Sequence, residues 1–240
     1  MQLSKFQKIL GTTGAILFIA VLAYILGWSS LLTVKNIEIT GTQSATVITD
    51  ELTARDLGLT VGMKLARVDI RGIKSTLSKM QWIEKYSVSR NWITGTIKVA
   101  VEEKIGIAKA TASDGSTLYF DFNGHLFKPV SAMQIASAAK LPLVDSPNRS
   151  TENLQQVAKL LKEIPTELED LLTNLTGISV GQSGFINMRT QIDGRNVEII
   201  WGRADAIGQK SKVLQALVAL PENKSANKFD LSIPDSPIVS

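Results

Sequence analysis

Hydrophobic and polar positions fall into three regimes along the chain: one unbroken apolar stretch, then short alternating segments, then alternating segments interleaved with helical stripes. Residues 9–34 carry no charge, and residues 15–26 (AILFIAVLAYIL) are apolar throughout. With residues 9–14 and 27–28 the run reaches the roughly 20 residues that ~30 Å of hydrocarbon requires of a helix. Lys5 and Lys8 precede it, and no acid appears before Glu38. That asymmetry predicts a single-pass anchor over residues 9–33, a short cytoplasmic tail over 1–8, and everything after about 34 outside the cytoplasm. Ile9, Leu17, Phe18, Leu22 and Ile25 are its lipid-facing candidates and Trp28 its interfacial aromatic. No Ala-x-Ala site follows the run, which argues against a cleaved signal peptide. Gly11 and Gly14 lie three apart, so a small-xxx-small helix contact is not expected.

Residues 34–103 predict a small β-α-α-β-β unit. Residues 34–40 (VKNIEIT) alternate and stop at Gly41. Residues 44–57 place Val47, Ile48, Leu52 and Leu57 near helical spacing. Asp69 is the expected N-cap of a second helix with Ile70, Ile73, Leu77 and Met80 on one face. Residues 85–92 and Thr96–Glu103 alternate on either side of Thr94 and Gly95, as a hairpin does. Trp82 and Trp92 are expected in the core or at its margin.

From 104 onward, strands are punctuated by helices. Residues 117–122 and 125–128 flank Asn123 and Gly124, a type I′ turn signal. Thr151–Glu163 carries Leu154, Val157, Ala158 and Leu161 at helical spacing. Gly177–Val180, residues 185–192 and residues 196–201 read as antiparallel strands, with turns at Gln182–Ser183–Gly184 and Asp193–Gly194. Asp205 is the expected cap of a helix reaching Leu220, with Lys210 and Lys212 on a solvated face. A closing strand over 228–233 puts Phe229, Leu231 and Ile233 on one side. The fold class is α+β: an anchor, a β-α-α-β-β domain over 34–103, and a mostly antiparallel β domain over 104–240. All seven prolines fall at or after Pro129, in the second of these domains.

Composition narrows the chemistry. The 240 residues are 44% hydrophobic and 20% charged, enough for compact cores. A net charge of +4, evenly spread, does not suggest a nucleic-acid partner. Zero Cys removes disulfides and thiolate chemistry, and a single His, His125, removes multi-His metal sites within one chain. Glu102 and Glu103 are adjacent in a strand and point to opposite faces. Asp114, Asp121 and His125 cluster in sequence around a turn, where no placed general-base partner is indicated. Ser137-Ala138-Ala139-Lys140 matches S-x-x-K in an Ala-rich stretch before Pro142, as chance allows. No nucleophile elbow, P-loop or H-E-x-x-H is present. The expectation is a protein with no catalytic, cofactor-binding or metal-binding residues.

The order of blocks resembles the bacterial cell-division family FtsQ/DivIB. Residues 34–41 are similar to the opening strand of its POTRA domain. Residues 63–69 (MKLARVD), Trp82-Ile83, Val88-Ser89-Arg90-Asn91-Trp92 and residues 97–103 (IKVAVEE) are similar to the rest of that domain. Residues 119–127 (YFDFNGHLF), Asp193–Gly194 with Val197, Trp201-Gly202 and a Lys-bearing helix, and Phe229-Asp230-Leu231-Ser232 are similar to blocks of its second domain. The chain departs at Gln81, Ile93–Thr94 and Gly106, where the family usually carries proline.

The resemblance implies a non-catalytic divisome scaffold in the cell membrane at the division septum. Its POTRA domain would aid recruitment, and its second domain would bind FtsB, held in complex with FtsL, by adding a guest strand to the last strand of the sheet. That strand would run from about 229 to 239, an edge with no later strand to cover it. Ser232, Ile233, Asp235, Ser236, Ile238 and Val239 are the expected partner surface, with Pro234 and Pro237 either setting which backbone donors stay free or blocking edge pairing. A POTRA-bearing envelope transport or assembly factor, and an anchored envelope enzyme or sensor, are the alternatives. Residues after 103 lack the repeated lipid-facing strands of a barrel.

Overall fold

The computed structural model describes residues 13–21, 24 and 32–240, apart from residues 113 and 148. Residues 13–21 and 24 are helical, and Leu17 and Phe18 are 61% and 65% exposed. Ile9, Leu22, Ile25 and Trp28 lie outside the described residues. Among the described residues no helix is long and apolar enough to cross a membrane.

The chain divides into two compact units, Met1–Glu103 and Lys104–Ser240. In the first, strand β1 (Asn36–Thr40) leads to helices α1 (Ala45–Ala54) and α2 (Ile70–Leu77), then strands β2 (Ile83–Asn91) and β3 (Thr96–Glu103). The strand order is β1-β3-β2, with β1 parallel to β3 and β2 antiparallel to it. Asp69 caps α2, its carboxylate accepting from the Gly72 N–H at 2.9 Å. Ile48, Leu52, Ile73 and Leu77 of the helices are buried, as are Val88, Ile97, Val99 and Val101 of the strands. Trp82 is buried, whereas Trp92 is 40% exposed.

The second unit is one mixed sheet of nine strands among the described residues. It comprises β4 (Ala108–Thr111), β5 (Thr117–Phe120), β6 (Leu126–Phe127), β7 (Leu143–Asp145), β8 (Gly177–Val180), β9 (Ile186–Ile192), β10 (Arg195–Gly202), β11 (Lys228–Asp230) and β12 (Ile238–Val239). Their spatial order is β12-β11-β10-β9-β8-β7-β4-β5-β6. Helices α3 (Ala132–Ala138), α4 (Thr151–Glu163), α5 (Glu169–Thr173) and α6 (Ile207–Ala219) complete it. Antiparallel pairs outnumber parallel ones, but β4–β7, β7–β8 and β10–β11 are parallel. Parallel neighbours need long crossovers, and the intervening helices supply them.

Alternation decides which face is covered. In β9, Ile186, Met188 and Thr190 are buried while Asn187, Arg189 and Gln191 face the other way. The covered face joins Val197, Ile199, Trp201 and Phe229 to Leu154 and Val157 of α4 and Leu214 of α6 in one core. The Thr190 hydroxyl donates to the Leu171 carbonyl at 2.8 Å, tying α5 to the sheet.

Several local expectations are corrected. The turn after β5 is not type I′: of Asn123 and Gly124 only the glycine has positive φ (74°), and the Gly124 N–H bonds the Asp121 carbonyl. Asp193 and Gly194 do both adopt positive φ, the signature of the type I′ hairpin between β9 and β10. The N-cap of α6 is Ala206, in the left-handed region at φ 46° and without a side-chain cap, so Asp205 does not cap that helix. Lys210 is not solvated but fully buried. Its ammonium donates to the Trp201 and Arg203 carbonyls at 2.8 and 2.9 Å and pairs with Asp205 at 2.6 Å.

Candidate partner-binding edge

The expected closing strand is two short strands joined by a turn. β11 lies parallel to β10, with Leu231 extending the pairing through its N–H to the Ile200 carbonyl at 2.8 Å. Beyond it Ser232 folds onto Asp230, whose Oδ1 accepts from the Ser232 N–H at 2.9 Å and from its hydroxyl at 2.6 Å. Residues 233–236 then form a β-turn, closed by the Ser236 N–H on the Ile233 carbonyl at 3.0 Å. Pro234 sits at the second position of that turn, where its fixed φ suits the geometry. Gln209 of α6 pins the turn by donating to the Asp235 carboxylate at 2.7 Å.

The turn sends β12 back antiparallel along β11, pairing Phe229 with Val239 and Asp230 with Ile238. β11 is therefore occupied on both sides, and the open margin belongs to β12. The single continuous edge over 229–239 is corrected in that respect. Ile233 does not share a face with Phe229 and Leu231: those two are buried, and Ile233 is 64% exposed at the turn.

The register fixes which backbone groups look outward. Lys228 and Ser240 exchange both backbone bonds, at 2.9 and 3.1 Å. Antiparallel pairs alternate, so Phe229–Val239 is the non-bonded pair and Asp230–Ile238 the bonded one. The N–H and C=O of Val239 thus point away from β11. Were the ladder continued, position 237 would also point outward. Proline there costs no internal bond and leaves a carbonyl but no donor on the margin. The Val239 side chain packs on the core, while Ile238 is 65% exposed. Of the six expected residues, Ile238 and Val239 form the edge, and Ser232, Ile233, Asp235 and Ser236 form the turn at its end.

Beside β11, on the uncovered face, a cleft of about 490 Å³ is lined by Asp145, Phe185, Asn187, Ile200, Asp230 and Ser232. Phe185 is 50% exposed, and the buried Oδ1 of Asn187 has no hydrogen-bond partner among the described residues.

The residues weighed for catalysis have structural employment. Glu102 pairs with Lys85 at 2.9 Å, and this partner, by hydrogen bond and charge, raises the Lys85 ammonium above its ordinary value. Glu103 accepts from the Thr42 hydroxyl. Asp114 accepts from the Ser116 N–H at 2.9 Å. The Ser137 hydroxyl donates back to the Met133 carbonyl at 2.8 Å within α3. His125 does have a placed neighbour, contrary to expectation: its Nδ1 lies 3.5 Å from Asp121 Oδ2. That carboxylate is already committed to Lys104 at 2.7 Å and to the backbone N–H groups of Asn123 and His125 at 2.8 and 2.9 Å. Burial pushes Asp121 up, but the Lys104 ammonium and the two N–H groups outweigh it and hold the carboxyl below its usual range. Among the described residues no cluster of three or more His, Asp or Glu could hold a metal ion.

A β-α-α-β-β unit followed by a one-sided mixed sheet with a strand margin defines a two-domain protein of the POTRA-bearing class. The model for the FtsQ-type POTRA domain matches residues 32–104, and that for the C-terminal domain of the cell-division protein FtsQ/DivIB matches residues 110–232. The chain belongs to the FtsQ/DivIB family of cell-division proteins. No curated protein matches it.

Proposed function

We propose that this protein is a single-pass, membrane-anchored scaffold of the bacterial divisome, with its tail in the cytoplasm and both domains outside. It recruits septal cell-wall synthesis proteins, the POTRA domain contacting other divisome components. An FtsB-like partner, in complex with an FtsL-like one, adds a strand along β12. The uncharged stretch over residues 9–34 supports the anchor. The outward N–H and C=O of Val239 on an unpaired margin carry the binding mode.

Two residues of ladder supply few bonds, each worth about 1 kcal/mol net, against an association cost of at least about 4 kcal/mol. Side-chain anchoring must add to them, and the exposed Ile233 and Ile238 and the cleft beside Phe185 offer it. Val239→Pro removes the outward donor while sparing the bonds between Lys228 and Ser240. Calorimetric titration of the full-length variant with the soluble domain of an FtsB-like partner should show affinity about tenfold weaker or worse. Val239→Ala keeps the donor and should bind nearly as the parent does. Equal affinity of the proline variant and the parent would rule out strand addition at β12.

A further inference from the structure

We infer that one end of the β-α-α-β-β domain rests on the membrane, seating Val61, Trp92 and Ile93 in the lipid interface with Lys35 and Lys64 toward anionic headgroups. The inference rests on the anchor proposed above and adds a second point of attachment to it.

The geometry begins where the uncharged stretch ends. Val34 is fully buried and clamped by the loop before α2: its N–H donates to the Met63 carbonyl at 2.8 Å, and its carbonyl accepts from the Gly62 N–H at 2.8 Å. Thr33 forms an isolated bridge with Lys64. On the other side, the N–H of Lys35 donates to the Gly95 carbonyl at 2.8 Å. Gly95, at φ 75°, closes the β2–β3 turn through its N–H on the Asn91 carbonyl at 3.0 Å. A Cβ at Gly95 would lie 2.8 Å from the Thr33 carbonyl oxygen, so the turn and the incoming chain are in direct contact. Residues 33–36 therefore emerge between two loops. Because β1 begins opposite Thr96, both the hairpin tip and the chain entry occupy the same end of the three-stranded sheet.

Those two loops carry apolar side chains that the domain does not bury. Ile93 is 92% exposed, Val61 68% and Trp92 40%. The Asn91 carboxamide holds the tip in shape, accepting from the N–H groups of Ile93 and Thr94 at 3.0 and 3.1 Å. Exposure of Ile93 is thus built into an ordered turn. The charge is of one sign: residues 33–36, 58–64 and 91–96 contain Lys35 and Lys64 and no acid. Arg90 lies with its guanidinium 5.0 Å above the Trp92 ring and donates to the Val68 carbonyl at 2.7 Å. Apolar tips ringed by cations, with an aromatic among them, match the headgroup–acyl boundary of an anionic bilayer. A bilayer is also the surface that a membrane-spanning stretch over residues 9–33 would bring to this end of the domain.

The chain has no cysteine, so one introduced thiol reports one position. Full-length Ile93→Cys, labelled with an environment-sensitive nitrobenzofurazan probe, would be reconstituted in nanodiscs of phosphatidylethanolamine and phosphatidylglycerol containing shallow doxyl-lipid quenchers. Thr40→Cys, at the opposite end of β1 about 13 Å away, is the distal control, and Leu17→Cys reports on the anchor. Quenching of the probe at position 93 should exceed that at position 40 about threefold or more, with blue-shifted emission. Adding Val61→Asp and Lys35→Glu should abolish the difference. A quenched probe at position 17, with position 93 no more quenched than position 40, would overturn the seating and leave the anchor intact. An unquenched probe at position 17 would overturn the anchor and the seating with it.

Discussion

Lys210→Met is expected to lower the unfolding free energy by about 3 kcal/mol. Lys210 is fully buried, and its ammonium is the donor to the Trp201 and Arg203 carbonyls at the end of β10. Methionine fills the volume but donates nothing, so two charge-assisted hydrogen bonds worth about 1.5–3 kcal/mol each are lost; the Trp201 carbonyl loses this donor, while the Arg203 carbonyl keeps the Asp205 N–H at 2.9 Å. Asp205 adds less, because its side chain is 66% exposed and water screens the pair. The Lys210 hydrogen bond and charge hold the Asp205 carboxyl below its usual range, and the variant should return it upward. Urea denaturation would read the loss of stability, and NMR titration of Asp205 the release of its carboxyl. A variant as stable as the parent would mean that Lys210 does not hold β10 to α6.

Asp121→Asn is expected to cost a similar amount at neutral pH, about 3 kcal/mol. It strips the counter-charge from Lys104, whose side chain is only 12% exposed, while an amide keeps most of the shape. Asp121 titrates below its unfolded value in the folded protein. Its contribution is therefore fully present above the unfolded carboxylate range, near pH 4, and is lost as pH falls through the lower folded value. The gap between parent and variant should be full at pH 7 and smaller at pH 3. Denaturant melts at both values check this, and a gap that stays constant with pH would exclude the carboxylate as its source.

How far the fold can be read from the chain depends on how each element advertises itself. The POTRA domain is legible because its strands alternate cleanly and Asp69 marks a helix start; β9 and β10 are legible for the same reason. β4 escapes because its inward residues are Ala108 and Ala110, too small to stand out as a hydrophobic pattern. β7 escapes because it spans three residues after Pro142. A signal for α3 is present: Ser131 and Gln134 form a capping box, with the Ser131 hydroxyl accepting from the Gln134 N–H at 3.0 Å.

The edge falls in the expected segment but with a different shape. Alternation from Phe229 to Ile233 reads as one strand, and only the turn at Pro234, pinned by Gln209, shows that the chain doubles back. Lys210 departs from expectation for a related reason. Helical spacing puts it on a polar stripe, whereas the need for a buried cation arises from carbonyls at the end of β10, a demand local periodicity does not encode. His125 gains its neighbour because the turn closed by the Gly124 N–H on the Asp121 carbonyl curls the chain back onto Asp121.

Both outer strands of the second domain, β6 and β12, span only two residues. Margins that brief give one molecule almost nothing to zip onto another, which guards against runaway fibre growth. For the proposed strand addition, the same brevity lets a guest peel away without unfolding its host.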